Sequence, residues 1–592
     1  MTNVKHQPVW IGLGALSIGF HIWLIFSGLV PSLVSRPLHM ALALPWVFLF
    51  AVTGMAQKVV GGLLVAIGVV LCGYIALNEA TLSDQYGFIA GWSQMAVAFG
   101  LVLLVLEMAR RTVGWPLPLI AFSFMLYGFF GNHIPGEFGH PGLPLNSFLG
   151  TLVLTEGGLW GKLTSVSVSV VAIFVIFGAI LNAGEAGQGF MNIAIAAAGR
   201  LKGGAAKVSV LSSALFGSIS GSASANVAST GMVTLPVMDR LGYPKRIAAA
   251  VEAVASTGGQ IMPPLMGAGA FVMVELTGIA YTDIILAAMV PAALYFLTVW
   301  IGVNGYAARY DLQPYDVDMR PNAATVAKTA LFFFMPFAVL LLVMFSGYTP
   351  QFAAAVAMLF AVMLLFFGVN LRIDLCRGIS RLGTAAVFAG RQIAMIASII
   401  LCASIIVGVL GMTGLGIKIT SVILSLSGDS KWLALLLTAF ACIVLGMEVP
   451  TTAAYVICVS VAGPALIDLG IDTLIVHLFI FWYALLSTIT PPVCGGVFIA
   501  ASMVGENWLR VAGSAMMLGL GLYVIPLAMI RHPELTTLIS TPAISLAITL
   551  QIGIGIALLS RGLIGGGAFW QRGLFILGGG IALFLRLQTL HG

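Results

Sequence analysis

The sequence predicts an all-α integral membrane protein, with about 15 transmembrane helices and two re-entrant hairpins arranged as an inverted repeat. Three observations predict it. Of the 592 residues, 60% are hydrophobic and 8% charged, and mean hydropathy is +1.09, a balance that no water-soluble domain sustains. Stretches long enough to span a bilayer, about 20 mostly apolar residues, recur from Val9 to Leu590 with short polar joints. Within that apolar background, two interrupted stretches about 230 residues apart read as copies of one another.

The elements follow in order. Spanning segments are expected near 9–30, 38–55, 58–78, 92–109, 115–131, 164–184, 244–275, 284–305, 327–346, 351–370, 391–412, 473–503, 507–530, 541–560 and 573–590. The first lacks a small-residue cleavage site and reads as a retained helix rather than a signal peptide. Residues 208–238 and 432–465 are left as hairpins that enter and leave by one side. Segment 369–391, with Arg372, Arg377, Arg381 and Arg391, reads as a surface helix whose charges form a solvated edge. With a cytoplasmic N-terminus, 20 of the 26 Lys and Arg fall on or beside the cytoplasmic side, as the positive-inside rule requires; Arg36, Lys162, Lys418, Lys431, Arg531 and Arg586 do not.

Charge also orients the hairpins. Arg200, Lys202 and Lys207 precede the first and Arg240, Lys245 and Arg246 follow it, which roots both feet in the cytoplasm. The second is flanked by Asp429, Lys431, Asp468 and Asp472, which suits the outer face. The domain reading is therefore 1–131 as N-terminal scaffold helices, 132–163 as an external connection, and 164–412 as a first half with hairpin 208–238 and broken helix 244–275. A second half, 413–530, holds hairpin 432–465 and broken helix 473–503, and 531–592 adds C-terminal helices.

Composition excludes several classes of function. No polar stretch is long enough for a soluble catalytic module, and the basic residues behind the +6 charge are scattered, which excludes a nucleic-acid footprint. The cysteines at 72, 376, 402, 442, 458 and 494 lie in or beside apolar segments without CxxC spacing, so they are expected to pack rather than to bind zinc or form disulfides. His477 has no Gly-x-Ser-x-Gly elbow to serve, so an enzyme is not expected.

The interruptions carry the chemistry. The first tip is Phe216-Gly-Ser-Ile-Ser-Gly-Ser-Ala-Ser-Ala-Asn226, followed by Ser256-Thr-Gly-Gly-Gln-Ile-Met-Pro263-Pro264; the second is Leu445-Gly-Met-Glu-Val-Pro-Thr-Thr-Ala-Ala-Tyr455, followed by Ser487-Thr-Ile-Thr-Pro491-Pro492. Gly217 precedes Pro263 by 46 residues and Gly446 precedes Pro491 by 45. Such residues free backbone groups from helices, which a bilayer tolerates only where those groups line a cavity. A matched pair of interruptions points to a transporter's binding site. Hydroxyls of Ser218, Ser220, Ser222 and Ser224 and the amide of Asn226 offer ligands; half-helix N-termini favour an anion, while exposed carbonyls favour a hard cation such as Na⁺. The plainer reading of Gly217 and Gly221 is a small-xxx-small helix contact. Thr257, Gly258, Gly259, Gln260, Ser487, Thr488 and Thr490 are the polar neighbours of the proline pairs. Glu448, on the second tip, is open to three roles: cation binding, proton carriage, or exposure to water. Glu252 is expected to face a neighbouring helix or water and receives no role.

These motifs, with Gly242-Tyr-Pro244, resemble the large membrane subunit of tripartite ATP-independent periplasmic (TRAP) transporters, over roughly residues 150–530. The branch resembled is the one that works with TAXI-type binding proteins, in its fused form, the N-terminal block being similar to the small membrane subunit. The resemblance implies an elevator-type secondary transporter of the ion-transporter superfamily in a bacterial inner membrane. It implies a periplasmic TAXI-type binding protein as partner and uptake of a small organic anion driven by Na⁺ or H⁺, with no other cofactor. One cation site would comprise Ser220, Gly221, Asn226 and Gly258, and the other Gly446, Pro450, Thr451 and Thr488. Substrate contacts would come from Ser222, Ser224, Asn226, Thr451, Thr452 and Thr490. Related second tips carry a small residue where this chain has Glu448, a departure that gives proton coupling more weight. Neither tip holds Arg or Lys, which suits a carboxylate or dicarboxylate held by hydroxyls and co-bound cations. A monomer is expected, the large scaffold block replacing a dimer interface.

Overall fold

Helices account for the regular structure throughout. The computed structural model describes residues 8–50, 52–315, 320–370, 372–428, 430–447, 449–492, 494–566 and 568–586, without the side chain of Ser220. Among these residues one isolated β-bridge, Phe367 to Ile373, is the sole extended pairing. Among the described residues, ten helices are long and apolar enough to cross a membrane. Other expected spans are helical but just under 18 residues: Ser32–Phe48 reaches 17 and Pro350–Leu365 reaches 16. Two apolar helices, Ala186–Ala198 and Leu415–Ser427, occupy stretches that the sequence reading had left unassigned.

The chain forms two compact units. The first comprises Met1–Gly184, Pro336–Leu437 and Thr452–Leu466. Its spine is the helix Leu375–Thr413, 39 residues long, which joins the expected surface helix and the following span into one rod. No proline interrupts it. Asp374 caps its start by accepting from Arg377 N at 3.0 Å, and Gly414, at φ +65°, ends it. The arginines at its start are not simply a solvated edge: Arg381 donates to the carbonyls of Leu365 and Phe367 at 3.0 and 2.9 Å, and the Arg391 guanidinium lies 5.8 Å from the Phe50 ring. Cys376, on the first turn, is exposed, whereas the other five cysteines are buried.

Helices Pro8–Phe26, Ser32–Phe48, Trp92–Val113 and Pro116–Phe130 pack on this spine, as does Lys162–Ala183 with its π-turn at Ser167–Val171. Small residues set the contacts. A Cβ at Gly14 would lie 2.3 Å from the Ala386 carbonyl oxygen, and one at Gly390 would lie 2.3 Å from the Trp46 ring. Where no hydrophobic effect drives helices together, such backbone proximity supplies the dispersion contacts instead. A buried polar chain crosses the same region: His21 Nε2 and His39 Nδ1 are 2.8 Å apart, and His39 Nε2 lies 3.1 Å from Ser167 Oγ.

The second unit comprises Glu185–Met335, Thr438–Thr451 and Ile467–Gly592. It contains the first hairpin, with arms Gly204–Ser220 and Ala223–Arg240, and the first broken helix, Lys245–Gly258 and Gly267–Thr277 joined through a 3₁₀ turn at Gly259–Ile261. The second broken helix, Thr473–Leu486 and Gly495–Val504, lies in the same unit. Both Pro-Pro bonds, Pro263–Pro264 and Pro491–Pro492, are cis. The second hairpin's arms are Lys431–Leu445 and Thr451–Asp468; the stretch Thr438–Thr451, which includes the tip, belongs to the second unit.

Replacing Gly14 with Leu is expected to lower stability by about 1–3 kcal/mol, the cost of forcing bulk into a closed contact. Thermal unfolding of the detergent-solubilised protein measures it, and an unchanged Tm would show that the first helix is not locked to the spine.

Candidate functional site

The first hairpin turns at Gly221, whose φ of +62° lies in the left-handed region that favours glycine. Ser222 then caps the returning arm by accepting from Ala225 N at 3.3 Å. The tip sits against the break of Lys245–Thr277 backbone to backbone. A Cβ at Gly217 would fall 2.5 Å from Gly259 Cα, and one at Gly221 would fall 2.9 Å from Gly267 Cα. No residue with a side chain fits either crossing without displacement.

Polar side chains fasten this junction. Gln260 Nε2, on the 3₁₀ turn of the break, donates to Gly221 O at 3.0 Å. Asn226 is fully buried, and its Nδ2 donates to Ser213 O at 2.9 Å and Ser256 O at 3.3 Å. Tyr281 OH donates to the carbonyls of Pro264 and Leu265, two of the acceptors that the break leaves outside a helix. Gly258 makes room for a ring, since a Cβ there would lie 2.0 Å from Tyr295 Cε1. The Tyr295 hydroxyl in turn donates to Val254 O at 2.7 Å.

At the second interruption a Cβ at Gly446 would fall 2.9 Å from Cys442 O, one turn back in its own arm, and 2.9 Å from Ser487 Oγ. Gly496 N donates to Thr488 O at 3.2 Å across the second break. Thr490 Oγ1 lies 2.7 Å from Tyr523 OH, a phenol that nothing in the sequence singled out. The two breaks meet directly: Thr257 Oγ1 and Thr488 Oγ1, each just after a Ser at the end of its half-helix, are 2.9 Å apart.

The sequence-predicted residues are therefore partly gathered. Ser222, Ser224, Asn226 and Gly258 surround the first junction, with Ser224 exposed and Ser222 half-buried, while Gly446, Thr488 and Thr490 surround the second. Ser220 ends the incoming arm. Pro450 and Thr451 are half-buried at the second tip; Thr452, the next residue of the arm that Thr451 opens, groups with the first unit. Glu448 lies outside the described residues.

Glu252 faces neighbouring helices, the first of its two expected settings, and not water: it is 0% exposed, inside Lys245–Gly258, and unexpectedly ringed by hydroxyls. Oε2 accepts from Ser209 Oγ at 2.7 Å and Thr234 Oγ1 at 2.5 Å; Oε1 contacts Thr230 Oγ1, and Ser213 Oγ and Ser256 Oγ at 3.3 Å each. A signal was present in the sequence. Ser209 and Ser213, like Thr230 and Thr234, stand four residues apart and therefore share a helix face.

Residues 101–544 match the family model described as the tripartite ATP-independent periplasmic transporter, DctM component. The chain belongs to the DctM family. It is 28% identical over 391 residues to the C4-dicarboxylate TRAP transporter large permease protein DctM of Pseudomonas aeruginosa, covering 65% of this chain and 86% of that one. It is 24% identical over 392 residues to the ectoine/5-hydroxyectoine TRAP transporter large permease protein UehC of Ruegeria pomeroyi, covering 64% and 87%. To the isethionate TRAP transporter permease protein DctMQ of Oleidesulfovibrio alaskensis it is 25% identical over 399 residues, covering 66% and 61%. The DctM match contains both hairpins and both breaks, whereas residues 1–100 and 545–592 lie beyond it. DctM proteins are transporter permeases, not enzymes, and His477 is buried within the half-helix Thr473–Leu486.

The two junctions should respond differently to a methyl group. Gly217→Ala, which meets Asn226 Nδ2 and the Gly259 backbone, is expected to cost about 1–3 kcal/mol, whereas Gly446→Ala, whose contact across the junction is the movable Ser487 side chain, should cost less. Parallel thermal unfolding of the two variants checks the order, and equal losses would contradict the asymmetry.

Proposed function

We propose that this chain is the membrane component of a binding-protein-dependent secondary transporter, taking up a small organic anion along with Na⁺ or H⁺ by an elevator movement. The observation that carries the reading is the Thr257–Thr488 contact. Inside a family-matched span, it brings two interrupted helices of the same build together at 2.9 Å. The carboxylate class is supported by the dicarboxylate relative and by tips without Arg or Lys; the ectoine and isethionate relatives mark how far a cargo of this family can vary.

In this reading a periplasmic TAXI-type protein delivers substrate, and residues 1–131 are a fused small subunit. Ser222, Ser224, Thr451, Thr452 and Thr490 contact the anion. Asn226 has its amide N–H groups committed to Ser213 O and Ser256 O, so only Oδ1 is left, an acceptor that serves a cation and not the anion. The donor chemistry at the first junction suits a hard cation: Ser220, Gly221, Asn226 and Gly258 supply neutral oxygens. Gln260 Oε1 beside them is buried, with no hydrogen-bond partner among the described residues. Gly446, Pro450, Thr451 and Thr488 would hold a second cation, with Glu448 nearby to bind a cation or a proton. A co-bound positive charge lets an anion enter a site that has no basic side chain.

Purified protein in proteoliposomes, with its binding protein and radiolabelled succinate as probe, tests the reading. Accumulation is expected only when both the binding protein and an inward Na⁺ or H⁺ gradient are present. Equal uptake without the binding protein would show a self-sufficient carrier, and equal uptake without a gradient would show that transport is not ion-coupled.

A further inference from the structure

We propose that Glu252 is a proton-binding residue of the transport cycle, its hydroxyl cage holding the carboxyl in both charged and neutral forms and linking that change to the first hairpin tip. The assignment rests on the secondary-transport reading above and goes beyond it by placing the proton away from both tips.

The cage supplies the first argument. A carboxylate sealed from water costs many kcal/mol unless a cation or proton neutralises it. Among the described residues no cationic side chain does so. From the elements packed on Lys245–Gly258, the titratable side chains are Lys207 on one hairpin arm and Asp239 and Arg240 on the other. Tyr281–Tyr310 adds Tyr281, Asp283, Tyr295, Tyr306, Arg309 and Tyr310, and Trp508–Leu518 adds Arg510; Gly495–Val504 adds none. Lys245 and Arg246 stand at the start of the helix itself. None of them hydrogen-bonds or ion-pairs with Glu252; Lys207 Nζ lies 5.1 Å from the Trp300 ring, and Arg510 Nη1 lies 4.0 Å from Glu506 Oε1. Nor is there a gap for a metal ion between the carboxyl and its closest partners, since Ser209 Oγ and Thr234 Oγ1 already sit at direct hydrogen-bond distance.

The cage's hydroxyls can serve either state. Thr234 Oγ1 is 2.5 Å from Glu252 Oε2 and 3.0 Å from Thr230 O. It has one proton: donated to the helix carbonyl, it leaves the contact to Oε2 to be made by a proton on the carboxyl; donated to Oε2, it leaves that oxygen unprotonated, as in the ionised form. Thr230 Oγ1 stands in the same position between Glu252 Oε1 and Asn226 O, the latter at 2.8 Å. Rotating hydroxyl protons therefore follow the charge without moving heavy atoms. An amide-like structural role would not need a titratable group in this place.

The connection to the tip is the second argument. Three residues that touch Glu252 also touch Asn226: Ser213 and Ser256 through the backbone oxygens that accept its Nδ2, and Thr230 through the Asn226 carbonyl. Asn226 in turn lies against Gly217 and Gly259, the backbone crossing that closes the tip on the break. A change in the donors around Glu252 thus acts on the group that fastens the hairpin.

Infrared difference spectroscopy of the full chain in lipid, titrated with pH, reads the carbonyl stretch of a protonated carboxylic acid. That band is expected to titrate in the wild-type protein and to be lost in Glu252→Gln. A band that survives Glu252→Gln unchanged, or is lost only in Glu448→Gln, overturns the proposal. Should Glu252→Gln fail to fold, Thr234→Val keeps the carboxyl and takes one donor from its ionised form; proton affinity should rise about tenfold or more, and an unmoved titration overturns the proposal equally. In proteoliposomes with the binding protein and succinate, Glu252→Gln is expected to lose the response of uptake to an inward proton gradient, and a retained response also overturns it. If the wild-type protein moves no succinate, the transport reading fails for that substrate while the infrared titration still decides the role of Glu252.

Discussion

A peptide group that leaves a helix inside an apolar medium must find another partner or carry a cost of several kcal/mol. The second unit is organised around that requirement. At the first break the partners are near because two pairs of glycines, Gly217 with Gly259 and Gly221 with Gly267, let two backbones touch. Gln260 and Tyr281 then reach carbonyls left outside a helix, and Asn226 ties the two helices through Ser213 O and Ser256 O. The Gln260 bond spans the Gly221–Gly267 crossing and the Asn226 bonds flank the Gly217–Gly259 crossing, so these depend on an approach that only glycine permits.

Much of this was legible in the sequence, and the reason is physical. Gly-Ser-rich tips and tandem prolines are conspicuous in an apolar chain because each removes helical hydrogen bonds, so the hairpins and breaks could be placed to within a few residues of the observed arms. Helix identity is also legible along the longest apolar runs, whereas Ala186–Ala198 and Leu415–Ser427, 13 residues each, are too short to register as spans. Charge misled at one place. Arg377, Arg381 and Arg391 suggested a separate surface helix, whereas nothing in 375–413 breaks helical hydrogen bonding, and the rod runs on. Arginine marks where water begins, not where a helix ends.

The hydroxyl cage was harder to see. Glu252 lies in Lys245–Gly258 among alanines and valines, and its five partners come from three helices whose mutual rotation no one-dimensional pattern fixes. Spacing of four residues in Ser209/Ser213 and Thr230/Thr234 announced polar stripes, yet a stripe acquires a meaning only once its counterpart is known. The contact between Thr257 and Thr488 is similar. Both threonines were visible as polar neighbours of the breaks, but their meeting across 231 residues belongs to the tertiary structure alone.

The spine of the first unit has a further consequence. At 1.5 Å per residue, 39 helical residues run to about 58 Å, roughly twice the hydrocarbon thickness of a bilayer. The stretch from Leu375 to Arg391 accounts for about 25 Å of that length and carries three arginines, two of which are anchored on the neighbouring carbonyls or on Phe50. A rod so long and so charged at one end cannot be drawn fully into lipid, and it cannot shorten by bending at a proline. It acts as a keel. The depth at which the whole unit floats, and hence the membrane thickness that suits it, is set by where those arginines meet the headgroups.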